Sequence, residues 1–353
     1  MKRINQYLLL AVFLFTTSVL HAQLNVQATR WAVPGMQIDF NNYPATASPL
    51  NTGTVVDGIN SYSYMGGPML FQIVDQQIKS PSGYNLATIG NSAMCRGAEY
   101  ATAKVKNDCE TFVTFFIERG VVPLFTTESL CYSKYSRNPV TGAINMIIQG
   151  QVLKSDNIDP VGGIVLTKER ADGSRFLYYA STETGQGFLR RYTLNADGTI
   201  NGETVLYTTN TPFLMAELEL SHDGTRLAFS RVRVGSWSPN AVDNDVVIFE
   251  IDPSTGDLAN STPHYINLAT NDDFDHYPGI EFSADGSELF VFRAGVGLYK
   301  INMTNYSSSQ INGFDASFTY SMLELGRDGY YYFARDDGLY RMDDAYAISP
   351  FAS

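Results

Sequence analysis

Residues 277–292 read YPGIEFSADGSELFVF, and residues 215–230 read MAELELSHDGTRLAFS. Each stretch is an alternating apolar strand, an Asp-Gly pair, and a second strand rich in Leu and Phe. Alternation at period two places one set of side chains on one face of a pleated strand. Asp-Gly between two such runs signals a hairpin, because Gly accepts a positive φ and Asp bonds back to the turn backbone. The pattern recurs at 320–333, YSMLELGRDGYYYF, and more loosely at 164–179, IVLTKERADGSRFLYY. The turn aspartates Asp172, Asp223, Asp285 and Asp328 stand 51, 62 and 43 residues apart. That spacing is the length of a four-stranded unit, not of a lone hairpin, and helical periodicity is absent.

The remaining strands of each unit lie downstream: GFLRRYTL (187–194) leading into TINGETVLY (199–207), DVVIFEID (245–252), and GLYKINM (297–303). The first half fits the same template, with GPMLFQIVD (67–75) and QQIKSPSGYNLA (76–87) in one unit. CETFVTFFIE (109–118), SLCYSKY (129–135) and GAINMII (142–148) belong to a second. The Ala-rich NSAMCRGAEYATAKVK (91–106) reads either as an inner strand or as a short helix. Radially repeated units of this kind predict a single all-β domain over 23–353, a β-propeller of six or seven four-stranded blades. Six are recognisable from about Ser61 onward; RWAVPGMQIDF (30–40) is left to close the last blade or to form part of a seventh.

Composition agrees and narrows the function classes. The chain is 13% aromatic and only 17% charged, with 22 Tyr and 21 Phe against 2 Trp. This balance favours strands over surface helices. A net charge of -12 argues against nucleic acid as a partner. Residues 1–22 carry Lys2 and Arg3, then an apolar run from Tyr7 to Leu20, then Ala22, the pattern of a secretory signal peptide. The run is shorter than the ~20 residues a spanning helix needs, and no later segment is apolar enough to cross a bilayer. The expected setting is therefore exported, periplasmic or extracellular, as a monomer. Among Cys95, Cys109 and Cys131, a disulfide between Cys95 and Cys109 would close a short loop, and three buried thiols are the equal alternative.

YPGIEFSADGSELFVF and AELELSHDGTRLAFS resemble the TolB-type, WD-like propeller repeats of bacterial envelope proteins. Pro278, Ser283, Asp285 and Gly286 keep that repeat's pattern, whereas Ala284 and His222 stand where the family has Pro. The resemblance covers about residues 161–340 and implies the propeller fold and an envelope setting. More loosely, Trp31, Ile38-Asp39-Phe40 and PMLFQIVD are similar to propeller proteins exported by the type IX route.

Catalytic motifs are missing: no G-x-S-x-G, no H-E-x-x-H, no phosphate-binding glycine loop. Propeller topology puts the Asp-Gly turns on one face, with structural roles, and makes His222 an exposed turn residue. The opposite face gathers the loops of Asp159, Asp273, Asp275, His276 and Asp315 and the 232–244 insertion with Trp237. Glu217, Glu219 and Glu281 alternate along inner strands, where channel water would solvate them. These residues predict a ligand-binding rim of Asp159, Glu217, Trp237, Asp273, Asp275, His276 and Asp315. The favoured reading is a non-enzymatic scaffold recognising a protein, glycan or envelope component. The competing reading is a propeller hydrolase or lactonase with a divalent cation, calcium the candidate, held by Asp273 and Asp275. No other cofactor is implied.

Overall fold

The computed structural model describes residues 30–33, 36–41, 45–50, 59–63, 68–90, 100–106, 108, 110–122, 125–156, 163–210, 213, 215–231, 246–268, 279–293, 297–311, 323–335 and 338–352. All its regular elements are strands, in six four-stranded antiparallel sheets and one three-stranded sheet. The N-terminal sheet contains β1 (Arg30–Val33), β2 (Met36–Asp39) and β3 (Thr46–Pro49). The first blade is β4 (Ile59–Ser63), β5 (Met69–Val74), β6 (Gln77–Lys79) and β7 (Asn85–Thr88). The second is β8 (Tyr100–Lys104), β9 (Thr111–Val122), β10 (Phe125–Arg137) and β11 (Ile144–Asp156). The third comprises β12 (Gly163–Leu166), β13 (Arg175–Glu183), β14 (Gln186–Leu194) and β15 (Ile200–Thr209). The fourth comprises β16 (Met215–Leu220), β17 (Arg226–Arg231), β18 (Val246–Glu250) and β19 (His264–Ile266). The fifth has β20 (Gly279–Phe282), β21 (Glu288–Arg293), β22 (Gly297–Asn302) and β23 (Ser308–Ile311). The sixth has β24 (Leu323–Leu325), β25 (Tyr331–Arg335), β26 (Gly338–Met342) and β27 (Ile348–Ala352).

Within each blade the strands pair in sequence order, and the first strands of successive blades, β4, β8, β12, β16, β20 and β24, neighbour one another around the axis. The Ala-rich segment supplies β8, so Tyr100–Lys104 is an inner strand and not a helix. The RWAVPGMQIDF stretch does not close the last blade, whose outer strand β27 comes from the C-terminus. It builds β1 and β2 of a separate three-stranded sheet. That sheet bridges the last blade and the first: β1 lies against β4, while Phe40 packs edge-on against Tyr332 at 5.7 Å.

The aromatic strand Tyr331-Tyr332-Phe333 shows how the composition is used. Tyr331 and Phe333 join the core between the fifth and sixth blades, and Tyr332 turns to the core shared with the N-terminal sheet. Alternation thus feeds two interblade cores from one strand. Tyr62, Phe71, Phe112 and Tyr135 do the same between the first and second blades, with ring centroids 5.0–5.8 Å apart.

The Asp-Gly turns join first to second strands as expected, with positive φ at Gly173, Gly224, Gly286 and Gly329. On the same face, basic side chains of one blade reach turn carbonyls of the next. Lys106 Nζ donates to Ala171 O at 2.8 Å, Lys134 Nζ to Asp197 O at 2.9 Å, and Arg226 Nη1 to Gly286 O at 3.0 Å. Lys168 Nζ donates to His222 O, and Arg170 Nη2 to Ser254 O at 2.5 Å. A turn carbonyl unused by its own hairpin needs a donor, and a charged one makes the stronger bond.

Gly256, in the turn after β18, has φ +74°, and a Cβ there would lie 2.6 Å from the Phe176 ring of the preceding blade. Gly256→Ala is therefore expected to destabilise the protein by about 1–3 kcal/mol, through strain and overpacking together. Urea unfolding measures this; a loss under 0.5 kcal/mol, the ~0.5 kcal/mol scale of a neutral surface change, would show that Phe176 yields.

Candidate functional site

Of the predicted rim, Asp159, Trp237, Asp273, Asp275, His276 and Asp315 lie outside the described residues, as do Cys95 and Cys109. Cys131 is a buried free thiol whose Sγ donates to Glu118 Oε2 at 3.6 Å. Glu217 is described, and it belongs to a cluster of carboxylates on the inner strands of three successive blades.

Glu219, Glu281 and Glu324 occupy one repeat position, each four residues before its turn aspartate, Asp223, Asp285 or Asp328. Cross-strand pairing confirms the equivalence: Glu219 opposes Ala228, Glu281 opposes Phe290 and Glu324 opposes Tyr332. Glu217 sits two residues earlier on β16, where the pairing with β17 is irregular between Met215 and Leu218. Inner strands of neighbouring blades do not form a ladder, so their amides need other acceptors. Glu217 Oε2 accepts the Ile280 N–H across the gap at 2.5 Å. Glu281 repeats the device one blade on, accepting from the backbone of Leu325.

Water does not solvate Glu217 and Glu281 as the sequence suggested, for Glu217 is 6% exposed and Glu281 3%, whereas Glu219 is half-buried. Glu281 Oε1 is buried with no hydrogen-bond partner. Burial, and then the charges of Glu219, Glu324 and Glu217, hold the Glu281 carboxyl well above the usual carboxylate range. Burial likewise pushes Glu324 up to about 7, although its side chain keeps contact with solvent at the axis. Protein mass surrounds Glu324 even where water reaches it, and both features follow from a position on an inner strand. Desolvation and like charge act in the same direction here, and both favour the protonated form of Glu281. The arrangement is short of positive charge. Among the described residues, no three carboxylate, imidazole or thiol groups converge on one point closely enough to share a metal ion.

Sequence reasoning named Glu217, Glu219 and Glu281 but missed Glu324. The signal was present in YSMLELGRDG, which keeps Glu at the same offset from Asp-Gly. It also misjudged His222, which is half-buried with its Nε2 enclosed. The Lys168 side chain and Pro253 of the following turn flank it on the turn face.

No protein-family model matches the chain, and no curated protein does. Among solved structures, Saccharomyces cerevisiae Sqt1 is similar at 9% identity and a TM-score of 0.47, over 92% of this chain and 82% of that one. A putative 6-phosphogluconolactonase of Bacteroides fragilis is similar at 12% identity and a TM-score of 0.37, over 79% and 88%. A gluconolactonase of Xanthomonas campestris is similar at 13% identity and 0.38, over 64% and 71%. Likenesses this distant carry no chemistry across, and the β-propeller architecture rests on the chain's own six four-stranded sheets.

Proposed function

We propose that the protein is an exported binding propeller that takes a positively charged group of a protein or glycan partner at its axis. The observation that carries this reading is Glu281, buried with an unpartnered oxygen among Glu217, Glu219 and Glu324. An ammonium or guanidinium group placed there would supply the missing donor and oppose the burial and repulsion that raise the pKa of the carboxyl. The acidic segments carrying Asp159, Asp273, Asp275 and Asp315 add charge of the same sign. The TolB-type resemblance supports an envelope setting, and a sequence without the common hydrolase motifs favours binding over turnover.

Titration with a tetralysine peptide by calorimetry tests this reading. Measurable affinity is expected at low salt, falling by about tenfold in Glu219→Gln/Glu281→Gln, the scale of one charge-assisted contact. Affinity unchanged in that variant would overturn the assignment. A calcium-dependent rise in the unfolding temperature, with no response to the peptide, would instead favour the hydrolase or lactonase reading.

A further inference from the structure

The turn face holds a cavity of about 140 Å³ between the third and fourth blades, different in its chemistry from the axial glutamates. Phe176 and Tyr178 from one blade and Leu220 and Pro253 from the next give it apolar walls. Lys168 and His222 give it polar ones. Lys168 Nζ has three N–H donors, and the bond to His222 O uses one. His222 Nε2 is buried and has no partner. A buried ring nitrogen left unpaired is costly unless something else meets it.

The acids around the cavity already have partners. Glu169 pairs with Arg175 at 3.5 Å. Asp223 Oδ1 accepts from the Ser221 hydroxyl at 2.7 Å and from Thr225 through its N–H at 3.0 Å and its hydroxyl at 2.8 Å. Arg170 is held by Ser174 Oγ at 3.1 Å and by Ser254 O, and lies over Phe176 at 4.5 Å. Tyr178 spends its hydroxyl on Gly256 O at 3.0 Å. Lys168 and His222, with the Arg170 N–H groups that its two bonds leave over, are thus the lining nitrogens that still have hydrogen-bonding capacity to offer.

We propose that this cavity binds a small monocarboxylate with a short apolar body, its carboxylate on Lys168 Nζ and His222 Nε2 and its body against Phe176, Tyr178 and Leu220. Size agrees, since an apolar cavity of about 150 Å³ accommodates benzene. Charge selects one negative unit rather than two. Lys168 and Arg170 are balanced by Glu169 and Asp223 in the lining, so a monoanion adds one negative charge that a proton taken up by His222 would offset, and a dianion would leave a second one uncompensated in a partly enclosed space. Titration points the same way. Burial lowers the Lys168 pKa, and burial and then Lys168 lower that of His222, with Asp223 opposing both. A bound carboxylate would reverse both directions.

Saturation-transfer NMR and calorimetry with benzoate, butyrate, benzylamine and inorganic phosphate test the proposal on the full chain. Benzoate and butyrate are expected to bind in the millimolar range or tighter, and benzylamine not at all. His222→Leu keeps the backbone carbonyl that Lys168 uses, so it is expected to retain the unfolding temperature while weakening benzoate by about tenfold. His222→Gln keeps a side-chain donor and is expected to stay within about threefold of the parent. Absence of carboxylate binding, phosphate binding tighter than benzoate, or equal affinity in a folded His222→Leu variant would each overturn the proposal.

Discussion

The unfolding temperature is expected to rise as pH falls from 8 to 5, and Glu281→Gln is expected to remove much of that rise. In the unfolded chain the carboxyls of Glu281 and Glu324 titrate near 4.5, whereas burial raises both in the folded protein, Glu324 to about 7 and Glu281 well above its ordinary value. Folding therefore takes up protons between those limits. The stability these groups contribute is complete below about pH 4.5, and it is lost as pH rises through about 7 and beyond. The turn aspartates act in the opposite sense and lower in pH. Hydroxyls of Ser174, Thr199 and Ser254 hold Asp172, Asp197 and Asp252 below 3.8, so their contribution fails only under stronger acid. Glutamine keeps the shape and an acceptor for Leu325 but has no charge to desolvate. At pH 8 the variant is expected to gain on the order of 1–2 kcal/mol, about 1.5–3 °C, and at pH 5 to match the parent. Thermal denaturation across that range measures it. An equal shift at both pH values would show that Glu281 is ionised and paired in the folded protein.

The repeat made the architecture legible because a propeller blade is local. Each Asp-Gly hairpin carries its own alternation and its own turn chemistry, so YPGIEFSADGSELFVF alone encodes β20, its turn and β21. The constant offset from the turn likewise encodes the shared register of Glu219, Glu281 and Glu324. What sequence could not supply was the third dimension between blades. Burial of Glu281 depends on β24 lying beside β20. The bond that the His222 carbonyl accepts depends on Lys168 crossing from the preceding hairpin, whose turn is longer than that of the fourth blade. The bonds from Lys106, Lys134 and Arg226 to turn carbonyls join residues about 60 apart in the chain, and basic residues on a strand give no hint of which carbonyl they will meet. The role of RWAVPGMQIDF was open for the same reason: alternation identifies a strand, but the sheet it joins is settled by Phe40 against Tyr332 and β1 against β4.

Arg190→Met is expected to be the most damaging single exchange outside the apolar cores, costing about 3–5 kcal/mol, the scale of an uncompensated buried ion pair. Arg190 on β14 is 1% exposed. Its Nε meets Glu203 Oε1 at 2.9 Å, its Nη2 meets Glu183 Oε1 at 2.5 Å, and its Nη1 donates to Ser181 Oγ at 2.5 Å. The guanidinium lies over Phe188 at 4.3 Å. Lys154, from the outer strand of the preceding blade, reaches the same two carboxylates at 3.3 and 3.7 Å. The network therefore joins the second blade to the third. Methionine would fill most of the apolar stem's volume, so the loss isolates the charge. It would leave two carboxylates sharing one ammonium, with their repulsion uncompensated. The unfolding temperature is expected to fall by about 4–7 °C, and Glu183→Gln/Glu203→Gln added to Arg190→Met is expected to restore about half of that, because the amides need no counter-charge. Near-additive losses in the triple variant would mean that packing against Phe188, and not the ion network, is what Arg190 contributes between these blades.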